Sequence, residues 1–236
     1  MLTAIIKTET LRTIIKTLSA VVDESTINAD GNGIHVCAVD PAHVAIIKMD
    51  ITPDSFVQYE CGDTETFALD IEKMNSVIGL VKNDTVGLSL KNGRFTMTFG
   101  NITRAMNIID ADIIPRMPEL DIKDVCLTIK AGQLANAIKA GQSISNAFKI
   151  SVTDDECARI TMTDEGDECE VILEACIDLE KEVFTQFPTD YFQKMIKAIP
   201  IDRNVVLDLA TDKPMILSFS MDEFPSNVTY LLAPRL

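Results

Sequence analysis

The chain repeats itself, and this repeat constrains its fold more than any other feature of the sequence. Residues 2–21 align with residues 125–144 at a constant offset of 123, which matches apolar positions with apolar positions and lysines with lysines. Residues 74–100 align in the same order with residues 192–220. Similar segments that keep their order along a chain indicate a repeated structural unit. The sequence therefore predicts two halves with the same architecture.

A segment with two prolines separates the halves. Pro115 and Pro118 lie within residues 111–122, and prolines so close together exclude a helix and disfavour a central strand. We expect an extended linker here. The predicted organisation is an N-terminal domain over residues 1–110, this linker, and a C-terminal domain over residues 123–236.

Each half combines predicted strands with two amphipathic helices. Asp70 is a good N-cap for the second helix, and Asn92-Gly93 is a strong signal for a two-residue hairpin turn. Runs of strands with two helices per half indicate an α+β fold with antiparallel sheets and with the helices gathered on one face. The helices are predicted at residues 8–22, 71–81, 132–144 and 189–199. The strands of the first half are predicted at Leu2–Lys7, Gly33–Val39, Ala42–Ile51, Gln58–Phe67, Val86–Lys91, Arg94–Phe99 and Thr103–Ile109.

The net charge of the chain is −15, which argues against a protein dedicated to tight DNA binding, because phosphate contacts need lysine and arginine. The distribution of the basic residues decides the question. On helical wheels the basic side chains lie away from the apolar stripes, and Lys16, Lys139 and Lys197 occupy matching positions. We predict that the helices present a DNA-facing surface formed by Arg12, Lys16, Lys73, Lys82, Lys139, Lys194 and Lys197.

An alternative interpretation is that lysine simply suits an exposed helix face. The repeat favours the first interpretation, since helices in one layer would add their charges together. The remaining surface is acidic, as in Asp164–Glu168, and would repel phosphate, so DNA could be tolerated at the helix layer alone. Such contacts are weak, salt-sensitive and independent of sequence. Affinity would then have to come from closure around the duplex.

Two motifs carry a resemblance to a known family. Residues 33–45 follow the pattern of a glycine, an apolar strand and Asp-x-x-His-Val, and residues 230–236 read Tyr-x-Leu-Ala-Pro-basic-apolar. Residues 202–219, with Asp-Lys-Pro inside them, resemble the strands that lead to such an ending. These segments resemble the DNA sliding clamps of the proliferating cell nuclear antigen family, and its archaeal members in particular. The similarity runs in order through the whole chain, including the linker.

The resemblance implies a DNA polymerase sliding clamp, which is a non-enzymatic processivity factor in DNA replication and repair. Such a clamp is a closed ring of three chains around duplex DNA, with the helices lining the hole, and we expect it in the cytoplasm at the nucleoid. Chains of this family join edge strand to edge strand, and the sequence leaves open whether this chain forms a homotrimer or a heterotrimer. The subunit interface implied by position contains Ala105, Met106, Ile108, Val171, Leu173 and Ala175.

The resemblance also implies a pocket for short peptides of partner proteins, namely DNA polymerase, clamp loader, flap nuclease and ligase. An apolar hollow beside an extended segment suits such peptides. The matching positions are Val39, His43, Val44, Ile114, Met117, Pro118, Pro214, Leu231, Ala233 and Pro234. For Ile114 and Met117 the alternative is ordinary anchoring of the linker into the core. The chain departs from the family at Gly79 and Asn136, where many relatives are basic, and at Leu231, where an aromatic residue is frequent.

The sequence contains no recognisable catalytic motif. Its two histidines are His35 and His43, and phosphate-loop, Gly-x-Ser-x-Gly and zinc signatures are missing. The acidic loop Asp164–Glu168 has the wrong spacing for an EF-hand. We expect no enzymatic activity, metal or cofactor, and neither an apolar run long enough for a membrane span nor a signal peptide. Two alternatives stay open: an acidic metal-dependent hydrolase, and an oligomeric scaffold that does not bind DNA.

Overall fold

The computed structural model describes residues 1–109, 118, 120, 122, 124–154, 157–221 and 226–235. The chain folds into two compact units. The first unit comprises Met1–Pro41, Ile47–Met117 and Ser220–Val228. The second unit comprises Ala42–Ile46, Pro118–Phe219 and Thr229–Leu236.

Among its described residues, the first half of the chain contains nine strands and two helices. Its strands pair antiparallel in the orders β5-β1-β7-β8-β9 and β4-β3-β2-β6, so β5, β9 and β6 are edge strands. The elements are β1 Leu2–Lys7, α1 Thr8–Ser19, β2 Glu24–Asp30, β3 Gly33–Val39, β4 Ala45–Ile51, a 3₁₀ turn at Pro53–Ser55, β5 Gln58–Cys61, β6 Glu65–Asp70, α2 Ile71–Ile78, β7 Thr85–Lys91, β8 Arg94–Phe99 and β9 Ile102–Asn107.

The second half repeats this plan, and the part of it that the structure describes contains nine more strands and two helices. Its strands lie in the orders β14-β10-β16-β17-β18 and β13-β12-β11-β15, and the predicted α+β class with antiparallel sheets is confirmed. The elements are β10 Val125–Lys130, α3 Ala131–Gly141, β11 Ala147–Thr153, β12 Cys157–Asp164, β13 Asp167–Leu173, β14 Cys176–Leu179, β15 Val183–Pro188, α4 Thr189–Ala198, β16 Asn204–Leu209, β17 Met215–Met221 and β18 Ser226–Leu232.

Apolar stripes fix how each helix sits in its unit. In α1 the residues Leu11, Ile15 and Leu18 are buried, and in α4 the ring of Phe192 lies 4.8 Å from that of Phe148. Each fully buried side chain of this size contributes about 1.5–3 kcal/mol. Because these stripes face the core, the helix positions between them are exposed, and that is where the sequence places its lysines.

Local signals in the sequence account for several boundaries. The carboxylate of Asp70 accepts a hydrogen bond of 2.7 Å from the backbone N–H of Lys73 and caps α2. Asn92 and Gly93 both have positive φ, 52° and 72°, as a two-residue turn between twisted strands requires. The predicted cap and the predicted hairpin are therefore confirmed.

Other boundaries differ from the prediction. Strand β2 is missing from the predicted elements, because its inward positions include a serine, Ser25, which is buried nonetheless. The single strand predicted over Gln58–Phe67 is two strands separated by a bend at Gly62. Helix α1 ends at Ser19 rather than at residue 22, since the N–H groups of Val21 and Val22 both turn back to the carbonyl of Leu18.

Candidate functional site

The helix layer of the first unit uses part of its positive charge internally. Arg12 donates from Nη1 to the carboxylate of Glu9, and from Nη2 to the carbonyl oxygens of Ile78, at 3.5 Å, and Val81. Ile78 is the last residue of α2, and Val81 lies three residues beyond it. Arg12 thus ties α1 to the end of α2. Lys16 is exposed and takes part in none of the salt bridges of the described residues.

Lys73 is also engaged within the protein. Its Nζ lies 2.7 Å from Oδ2 of Asp70. Hydrogen bonds from the side chain and then the backbone N–H of Lys73 lower the pKa of Asp70 below its ordinary value. The same contact raises the pKa of Lys73. Lys73 is therefore paired with the helix cap, although its side chain remains exposed.

A groove opens between the two helices of the second unit. It has a volume of about 250 Å³ and is lined by both Lys139 and Lys197. The other residues along it are Ala135, Asn136, Ile138, Gln142, Gln193 and Ile196. The side-chain amide of Gln193 donates to that of Gln142 and joins the two walls. The structure therefore brings two of the predicted DNA-facing lysines together in one groove.

Two further lysines of the predicted surface lie elsewhere. Lys194 is exposed on α4, three residues before Lys197, outside the lining of the groove. Lys82 is exposed after α2 and lines a separate depression of the first unit, about 590 Å³ in volume. That depression mixes charges of both signs, because Glu9 and Asp84 also line it.

Two edge strands each expose an isoleucine that sequence reasoning missed. On β9 the side chain of Ile102 is 53 % exposed, and on β13 that of Ile172 is 61 % exposed. Both strands lie at the edge of their sheets and leave one row of backbone groups without a sheet neighbour in the described chain. Edge strands of this kind are templates for pairing with another chain.

The structure places the six residues of the predicted subunit interface along or beside these strands. Ala105 is exposed, while Met106, Ile108, Val171 and Ala175 are half-buried. Leu173 is buried within its own unit. Leu173 and Ile172 are neighbours that point to opposite faces of the sheet, which is why the first is buried and the second exposed.

One glutamine joins helix α3 to the end of β13. The side-chain amide of Gln133 donates to the carbonyl of Glu174 at 3.2 Å, and its oxygen accepts from the N–H of Glu174 at 3.0 Å. The side chain of Gln133 thereby bonds to both backbone groups of Glu174, the carbonyl and the N–H. The sequence carries no signal for this contact, because the two residues are 41 positions apart.

Part of the predicted peptide pocket lies within the second unit. The N–H of Ala233 donates to the carbonyl of Val44 at 2.8 Å, next to His43, which is exposed and has a positive φ of 56°. Pro214 and Pro234 are half-buried, Leu231 is buried and Pro118 is exposed. Val39 belongs to the first unit. Ile114 and Met117 lie outside the described residues.

The described part of the chain offers no candidate site for a metal ion. Its histidine, cysteine, aspartate and glutamate residues form no group of three that could hold a metal ion. His35 instead pairs through Nδ1 with Asp50 at 2.8 Å on the neighbouring strand. Among the described helices, none is long and apolar enough to cross a membrane.

Comparisons with known proteins match both halves of the chain to the same family. The family model described as proliferating cell nuclear antigen, N-terminal domain, matches residues 1–124, and that of the C-terminal domain matches residues 109–235. A DNA polymerase sliding clamp of Thermoplasma volcanium is 30 % identical over 98 % of this chain and 97 % of its own length. Another DNA polymerase sliding clamp, from Methanosarcina barkeri, is 30 % identical over 100 % of this chain and 99 % of its own length.

Solved structures agree. The structure described as the C-terminal region of FEN-1 bound to A. fulgidus PCNA has a TM-score of 0.91 and 27 % identity, and the match covers 100 % of this chain and 99 % of that one. A PCNA from Thermococcus kodakaraensis, at 19 % identity and a TM-score of 0.90, shows the same fold. Both halves and the full length of the sequence match, so this chain belongs to the proliferating cell nuclear antigen family.

Proposed function

We propose that this chain is a DNA polymerase sliding clamp that encircles duplex DNA and tethers replication and repair proteins to it, without catalysing a reaction itself. The observation that carries the proposal is the position of Lys16, Lys139 and Lys197. They are exposed at matching places on repeated helices of a chain whose net charge is −15. An acidic protein with basic helix faces attracts phosphate at those faces alone, weakly and without regard to sequence. Such contacts suit a ring that slides at the nucleoid.

Closure of the ring would use the two edge strands. We propose that β9 of one copy adds to β13 of the next, which would bury Ile102 and Ile172 and pair the free backbone groups of both edges. Exposed charges on the two strands are complementary, with Arg104 on β9 and Glu168 and Glu170 on β13. A head-to-tail contact that closes on itself gives a ring. Because both complementary edges belong to this chain, we propose a ring made of copies of this chain alone, three of them as the family resemblance implies.

Partner proteins would bind as short peptides beside the C-terminal strand. One relative is known bound to the C-terminal region of FEN-1, and we propose that flap nuclease, DNA polymerase, clamp loader and ligase peptides bind this chain at His43, Val44, Pro214, Ala233 and Pro234. The hydrogen bond between Ala233 and Val44 holds two of these segments side by side. Their apolar side chains and prolines suit an extended peptide with apolar anchors.

Retention on circular DNA tests the proposal. The mass of the purified chain is first measured by light scattering, and the chain is then loaded onto nicked circular DNA by a clamp loader. A ring of three copies stays on the circle and leaves the DNA once a restriction enzyme linearises it. A monomeric mass, or equal retention on circular and linear DNA, would contradict the proposed function. Chelator-sensitive hydrolysis would indicate the acidic hydrolase instead.

A further inference from the structure

The two halves of the chain share one plan, but their helix layers differ at the position of Arg12. The residue that aligns with Arg12 in the second half is Ala135. In the first unit the arginine side chain lies between α1 and α2 and donates to Ile78 and Val81. In the second unit the alanine lines the open groove between α3 and α4. The two helix pairs therefore differ at this position: the arginine bridges α1 to the residues that end and follow α2, whereas the alanine leaves the space between α3 and α4 unbridged at this point.

The two helix layers also differ in how many basic side chains are free to bind a ligand. In the first unit Arg12 and Lys73 have carboxylate partners within the protein. The position there that matches Lys197 is Gly79, and the next residue, Leu80, is apolar and 76 % exposed. Among the described residues of this helix layer, Lys16 and Lys82 have no ion-pair partner, but Lys82 lines a depression that Glu9 and Asp84 also line.

The groove of the second unit has the composition that a phosphodiester requires. Lys139 and Lys197 both line it, and its described lining includes no carboxylate. Asn136, Gln142 and Gln193 add amide groups along its walls, and amides donate hydrogen bonds to phosphate oxygens. Two cations that share a groove and face no anion attract a phosphate more strongly than isolated lysines beside acidic residues.

We propose that the α3–α4 groove is the principal phosphate-binding surface of this clamp, with Lys139 and Lys197 as its cations, and that the α1–α2 layer contributes little. This inference rests on the proposed function as a sliding clamp. It narrows the DNA-facing surface predicted from the sequence, which includes basic residues of both halves. A ring of such chains would hold the duplex at alternate domains rather than at every domain.

Paired lysine substitutions in the full chain test the inference. The variants Lys139→Ala/Lys197→Ala and Lys16→Ala/Lys82→Ala each remove two exposed lysines, and the second is the matched control. Affinity for a fluorescent duplex of about 30 base pairs is measured by anisotropy between about 0.02 and 0.3 M salt. If each groove lysine contacts one phosphate, the slope of log affinity against log salt falls by about 1.8 and affinity at 0.1 M salt falls about 60-fold. The control also removes a proposed DNA contact, Lys16, so it should lose no more than about eightfold in affinity, the share that one phosphate contact supplies at 0.1 M salt.

A gain-of-function variant avoids any ambiguity from misfolding. Gly79 has an ordinary helical conformation, with φ −61°, and a Cβ there would come no closer than 3.7 Å to another atom. Gly79→Lys therefore fits, and by supplying the missing lysine it should raise affinity by about eightfold at 0.1 M salt. Thermal unfolding by circular dichroism confirms that all variants are folded.

The outcomes separate the inference from the proposed function. Equal losses in the two double variants, a larger loss in the control, or a wild-type affinity that does not depend on salt would overturn the inference. A wild-type chain that remains on circular DNA but shows one of these results is still a clamp, with a different inner surface. A wild-type chain that fails the circular-DNA test contradicts the function itself.

Discussion

Truncating Ile172 should weaken the proposed trimeric ring without unfolding the chain. This side chain is 61 % exposed on the edge strand β13, and fully burying an isoleucine yields about 1.5–3 kcal/mol. Burying the exposed part at a subunit contact is therefore worth about 1–2 kcal/mol. Three contacts close a ring, so Ile172→Ala should raise the trimer dissociation constant by about two to four orders of magnitude, at about 1.4 kcal/mol per factor of ten.

Sedimentation equilibrium over a wide range of protein concentrations measures this constant. Ile201→Ala is the matched control, because Ile201 is 74 % exposed but lies in the turn after α4 rather than on an edge strand. Neither substitution should change the free energy of unfolding by more than about 0.5 kcal/mol, since both side chains are exposed. The edge-strand reasoning is refuted if Ile172→Ala stays trimeric at the same concentrations as wild type, or if Ile201→Ala dissociates as readily.

Three further predictions concern single contacts. Hydrogen bonds from Lys73 lower the pKa of Asp70, so its carboxylate stabilises the fold above its ordinary pKa of 3.8 and loses that effect as pH falls through the lowered pKa. Asp70→Ala should cost about 1 kcal/mol in urea unfolding at pH 7, less at pH 3, whereas Asp70→Asn keeps most of the cap. Gly33→Ala should lower the free energy of unfolding by more than about 3 kcal/mol, because φ at Gly33 is +134° and the new Cβ would lie 2.1 Å from the last carbonyl oxygen of β4. A variant with the thermal stability of the wild type would contradict this. Gln133→Leu should speed hydrogen exchange at the Glu174 amide, by about five- to 150-fold if the lost hydrogen bonding is worth about 1–3 kcal/mol; unchanged exchange would mean that the amide is protected otherwise.

The sequence predicts the helices and their exposed faces because periodicity encodes them directly. Leu11, Ile15 and Leu18 have the spacing of one helical face, and the structure buries all three. Asp70 and Asn92-Gly93 act through contacts within a few residues, so their roles can be recognised without a fold. The repeat then extends each local prediction to the second half.

Contacts between distant segments could not be predicted in this way. Arg12 is separated from its carbonyl partner on Val81 by 69 residues, so the sequence shows a positive charge but not that the charge is already used. The exposure of Ile102 and Ile172 depends on which strands end their sheets, and strand order is a property of the whole unit. The DNA-facing lysines, the peptide pocket and the subunit contacts stay predictions until the experiments above are made.

The paired bonds between Gln133 and Glu174 have a mechanical consequence. They fasten the helix that carries Lys139 to the terminus of the strand on which neighbouring copies would meet. If DNA binds Lys139 and β13 forms the proposed subunit contact, a movement of this helix would be passed to that contact through Gln133. The contact between Gln133 and Glu174 would then link the strength of DNA binding to the stability of the closed ring.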